Sequence, residues 1–89
     1  MIPYDRVLFI SWDKKNGDKL KELRRKRGLT RPTLSKLTRG AVSLRTVTVL
    51  ERGEVNSVSR EKLDLLLNIL YADIRDLFPT VTVNFTKTP

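Results

Sequence analysis

Between residues 18 and 78 the apolar positions recur at intervals of three and four, which on a helix gathers them along one side. Leu20 and Leu23 predict a helix over 18–27. Leu34 and Leu37 predict a short second one, Val47 and Leu50 a third over 44–52. Leu63, Leu66, Leu67 and Leu70 predict a fourth over 60–70, and Ile74, Leu77 and Phe78 a last short one. At the two ends the period changes. Val7-Leu8-Phe9-Ile10 is β-favouring, with Val7 and Phe9 facing one way and Leu8, Ile10 and Trp12 the other, which predicts a strand over 6–12. Val81, Val83 and Phe85 alternate with Thr82, Asn84 and Thr86, the pattern of a half-buried strand over 80–86. Leu65 and Ile69 form a second apolar line on the fourth helix, which the terminal strands or another subunit must cover. The expected fold is mainly α: five helices in one domain, 1–89, with short β-strands at the N- and C-termini that can pair as a two-stranded sheet, within one chain or across a dimer.

The punctuation agrees with these boundaries. Thr30, Ser43, Ser59 and Asp73 each precede a helical pattern, where a side-chain oxygen can accept from a free backbone N–H. Pro32 falls in a first turn, where its missing N–H costs nothing. Gly28 and Gly40 stand where helices must stop, and Pro79 ends the last one. Asn16-Gly17 reads as the turn between the first strand and the first helix, and 54–58 as a loop.

Charge changes the picture. Of 18 Lys and Arg, thirteen lie within residues 14–52, against Asp18, Glu22 and Glu51 alone. That segment carries +10 and the remainder −2, so a polyanion facing one side of the domain is the implied partner. The run Arg25-Lys26-Arg27 has a structural explanation, since basic residues in a last turn suit the helix dipole. The third helix is more telling. With Val47 and Leu50 inward, Leu44, Arg45, Thr48 and Val49 point outward, and adjacent exposed β-branched residues are poor helix formers. That face suits the major groove, where apolar groups meet thymine methyls and Arg45 can grip guanine O6 and N7.

Catalysis finds little support. There is no histidine and no cysteine, so the commonest general base, the thiolate zinc site and the disulfide are all excluded. The ten carboxylates form no metal or acid/base spacing, no glycine loop cradles a phosphate, and no cofactor is implied. No apolar run approaches the ~20 residues of a membrane helix. The start has no basic region ahead of its short apolar run, so a cytoplasmic, non-enzymatic protein is expected.

Leu29-Thr30-Arg31, Leu34-Ser35, Val42-Ser43, Val47 and Leu50-Glu51-Arg52-Gly53 resemble the helix-turn-helix of the phage-repressor-like (XRE, Cro and repressor type) DNA-binding family. Leu20, Leu23, Arg24, Gly28 and Leu29 look like that family's first helix, and Ser59 through Leu70 with Asp73, Ile74, Leu77, Phe78 and Pro79 like its fourth and fifth. The likeness spans 17–79, the helical core. It implies a repressor-like domain that reads double-stranded DNA through its third helix, with Leu44, Arg45, Thr48 and Val49 on bases. Thr30, Arg31, Ser43, Arg52, Asn56 and Ser57 are the phosphate candidates. It also implies a structural ion pair between Arg24 and Glu51. Two departures stand out. Leu34 to Val42 is two residues longer than the family's spacing, and Arg31-Pro32 replaces its glutamine and acidic pair.

A helix-turn-helix of this size is expected to bind a palindromic operator as a homodimer. The competing reading is a protein-interaction module on the same fold, such as an antitoxin, which would offer Leu65, Ile69 or the terminal strands to a toxin or regulatory protein. RNA is disfavoured because Tyr4, Trp12 and Tyr71, the aromatics that could stack bases, lie outside the central stretch of basic residues.

Overall fold

The computed structural model describes residues 9–78. The elements run β1 (Phe9–Ser11), α1 (Lys14–Lys26), α2 (Arg31–Leu37), α3 (Leu44–Arg52), β2 (Ser57–Ser59), α4 (Arg60–Ile69) and α5 (Ile74–Leu77). The described residues are therefore mostly helical, with the five helices that the sequence pattern requires and one two-stranded antiparallel sheet.

Two features differ from expectation by more than a residue at a helix end. Helix α1 starts at Lys14, not Asp18, and carries Asn16-Gly17 inside it. The cause is a reciprocal cap. The Asp13 carboxylate accepts from the Asn16 N–H at 3.0 Å, and the Asn16 amide oxygen accepts from the Asp13 N–H at 3.0 Å. Two otherwise orphaned donors are satisfied together, which overrides the turn preference of Asn-Gly. The second difference is the partner of β1. It pairs antiparallel with Ser57–Ser59, part of the stretch read as a loop, with Phe9 opposite Ser59, Ile10 opposite Val58 and Ser11 opposite Ser57. A three-residue strand is too short to carry a legible period. The Trp12 N–H, donating to the Asn56 carbonyl at 2.9 Å, extends the ladder. Residues 6–8 of the expected first strand, and the whole of the strand expected over 80–86, lie outside the described residues.

The core runs between all five helices and β2. Leu20, Leu34, Val42, Val47, Leu50, Leu63 and Leu66 are sealed from solvent, and Trp12, Val58, Leu67, Leu70 and Leu77 nearly so. Each such side chain contributes roughly 1.5–3 kcal/mol. The alternation foreseen for β1 holds where it is described: Ile10 packs on the core, Trp12 is buried and Phe9 is exposed. Ile69 packs against the core, and Leu65 is half-buried.

Candidate nucleic-acid interface

Helices α2 and α3 start on the residues whose chemistry demands it. Thr30 Oγ1 accepts from the Thr33 N–H at 3.2 Å and Ser43 Oγ from the Thr46 N–H at 3.1 Å. Both hydroxyls, candidates for phosphate contact, thus serve first as caps on exposed helix N-termini. Helix α3 ends at Gly53, whose φ of 69° is left-handed.

The two extra residues between Leu34 and Val42 sit in the turn, not in α2. After Leu37 the chain turns through Arg39 (φ 56°) and Gly40 (φ 89°), both left-handed. Thr38 is buried and staples this turn. Its Oγ1 accepts from the Val42 N–H at 3.0 Å and lies 2.6 Å from the Ser35 carbonyl. Ser35 Oγ donates to the Val42 carbonyl at 2.7 Å. Neither residue is assigned this role from sequence, Ser35 entering there only through the family likeness; the signal lies in the hydroxyls flanking a lengthened turn.

Beneath the interface lies one carboxylate. Glu51 is 2% exposed and accepts from Arg24 Nε at 2.6 Å and Arg24 Nη2 at 3.0 Å. Arg31 Nε, at 2.9 Å, joins them. Arg24 also donates to the Leu29 carbonyl at 2.8 Å, so α1, α2 and α3 meet at this carboxylate. Burial pushes the Glu51 carboxyl up, but hydrogen bonds from Arg24 and then Arg31, with their charges, outweigh it and hold the pKa below its usual value. Arg31, assigned to phosphate from sequence, is therefore engaged inward through Nε. Its half-buried guanidinium lies beside the exposed end of α2.

The base-contact candidates divide. Arg45 is exposed, and with Arg52, seven residues on and also exposed, it shares one face of α3. Leu44 is 45% exposed at the start of the helix. Thr48 is half-buried and donates its hydroxyl to the Leu44 carbonyl at 2.9 Å. Val49 is half-buried and lines a shallow groove of about 220 Å³ with Phe9, Val55 and Val58. Asn56 and Ser57 present exposed side chains at the entry to β2.

Electrostatically the region is one-sided. No acidic residue occurs from Leu23 to Leu50, while eight Lys and Arg do. Up to Glu22 the cations of α1 are interleaved with acids, as in the Lys14–Asp18 and Lys19–Glu22 pairs. Among the described residues, Lys36, Arg39, Arg45 and Arg52 join no ion pair. No helix among the described residues is long and apolar enough to cross a membrane.

No protein-family model matches the chain, and no curated protein sequence does. Solved structures do. The restriction-modification controller protein C.AhdI from Aeromonas hydrophila is 35% identical, with a TM-score of 0.65 over 73% of this chain and 94% of that one. The clp gene regulator ClgR from Corynebacterium glutamicum is 30% identical, with a TM-score of 0.66 over 74% and 81%. The DNA-binding domain of BldD, at 24% identity, shares the fold with a TM-score of 0.65 over 74% and 92%.

Proposed function

Because this chain belongs to the phage-repressor-like helix-turn-helix family and is a DNA-binding regulator, we propose that it reads a specific double-stranded operator by laying α3 in the major groove. The observation that carries this reading is the outer face of α3. Its two cations, Arg45 and Arg52, are exposed and outside any ion pair among the described residues, while the acid of the same helix is turned inward onto Arg24 and Arg31. A helix whose positive charges all face out is suited to a polyanion.

In this arrangement Arg45 takes guanine O6 and N7, and Leu44, Thr48 and Val49 frame it, with the apolar groups toward thymine methyls. Arg52, Asn56 and Ser57 hold phosphates. The capped N-termini at Thr30 and Ser43 offer backbone N–H groups to the same strands. The Glu51 cluster acts beneath them, fixing the angle at which α2 and α3 meet. One recognition helix reads few base pairs, so two chains bind a palindrome with their helices about 34 Å apart.

Selection of bound sequences from random DNA, followed by salt titration and sedimentation of the complex, tests this. A palindromic consensus, two chains per site and an affinity that falls steeply with salt are expected. Recovery of no consensus, or affinity indifferent to salt, would defeat the reading.

A further inference from the structure

We propose that the lengthened turn between α2 and α3 is an added DNA-backbone clamp, with Arg39 as its phosphate contact. This rests on the DNA-binding reading and extends it to a segment that the helix-turn-helix pattern does not supply.

Four observations converge on Arg39. It holds a left-handed backbone conformation, φ 56°, which a side chain with a Cβ adopts at a cost and glycine adopts freely. Gly40, the next residue, is itself left-handed, so the chain already has glycine where such a turn wants it. The tip formed by Arg39, Gly40 and Ala41 is exposed, and a Cβ built on Gly40 meets nothing within 4 Å. Yet the tip is held firmly, because the Ser35 and Thr38 hydroxyls bind the Val42 backbone from below. The turn therefore presents a strained cation to solvent on a rigid mount, which nothing in the described fold uses.

Charge identifies the partner. Lys36 lies one turn before Arg39 and Arg45 follows in the first turn of α3; none of the three joins an ion pair among the described residues. Three such exposed cations, spaced along the chain from the end of α2 into the start of α3, suit a phosphodiester backbone better than an isolated anion. A cation at a helix C-terminus also suits the dipole of α2. That role would appear as stability and not as DNA affinity, which makes the two separable.

The test compares Arg39→Gly and Arg39→Lys with the natural protein on its selected operator and on random duplex, across a salt series, beside thermal unfolding. Arg39→Gly relieves the left-handed strain, so its unfolding temperature should hold or rise. Its affinity should nevertheless fall roughly fivefold, equally on operator and random DNA. Its slope of log affinity against log salt should flatten by about 0.9, the loss of one phosphate. Arg39→Lys should recover most of both. Unchanged affinity and slope in Arg39→Gly, or a loss confined to the operator, would overturn the assignment while leaving the DNA-binding reading intact. A natural protein with no salt-dependent affinity for any duplex would defeat both.

Discussion

The indole N–H of Trp12 donates to the carbonyl of Leu50 at 2.8 Å, joining residues 38 apart in sequence. Trp12 follows β1, and Leu50 lies in the last turn of the helix proposed to read bases. The same ring meets Phe78 edge-on, with centroids 6.4 Å apart. The sheet thus clamps α3 from behind. Trp12→Phe removes the donor and part of the ring, while the Leu50 carbonyl keeps the Gly53 N–H at 3.1 Å. A loss of about 1–2 kcal/mol is expected in denaturant unfolding. An unchanged midpoint would show that the indole N–H contributes nothing.

Glu51 anchors two arginines, so Glu51→Gln leaves buried positive charge without its counter-charge. A loss of roughly 3 kcal/mol is expected, the lower end for a broken buried pair because Arg31 reaches solvent. The pH dependence has a definite sign. The folded carboxyl has a pKa below its ordinary 4.5, so its stabilisation is fully present above that value and is lost as pH falls through the folded one. Thermal unfolding of the natural protein should therefore drop more steeply on acidification below about 4.5 than that of Glu51→Gln. Parallel acid profiles would remove Glu51 from the account.

Gly17 lies where α1 crosses α3. A Cβ there would collide with the carbonyl oxygen of Leu50 and sit 2.6 Å from that of Glu51. Alanine is the better helix former by about 1 kcal/mol, so propensity alone predicts stabilisation. The crossing predicts the reverse, and Gly17→Ala should lose about 2 kcal/mol net as the helices are forced apart. A variant more stable than the natural protein would show that α1 can shift freely.

Arg45→Ala should cost about 1–3 kcal/mol on the selected operator and relax choice at one base pair. Arg52→Ala should weaken operator and random DNA alike. Competition binding with single-base operator variants separates them. Equal losses on both DNAs for Arg45→Ala would move that residue from base to backbone.

The sequence by itself determined what depends on neighbours along the chain. Thr30, Ser43, Ser59 and Asp73 cap their helices because a hydroxyl or carboxylate reaches only the next turn's N–H, and that reach is written in contiguous residues. The apolar spacings likewise announced five helices, and the gap from Leu34 to Val42, set against the spacing of the resembled family, announced an extension. Tertiary structure alone decided how these pieces meet. It brought Gly17 against the α3 backbone, where a Cβ finds no room. It gave β1 a three-residue partner between α3 and α4, too short to carry a period. It drew Arg31 onto Glu51, and it placed Val49 beside a groove with Phe9. These contacts join residues twenty to fifty positions apart. Their energies come from burial and packing that exist only once the helices have crossed, so no local pattern records them.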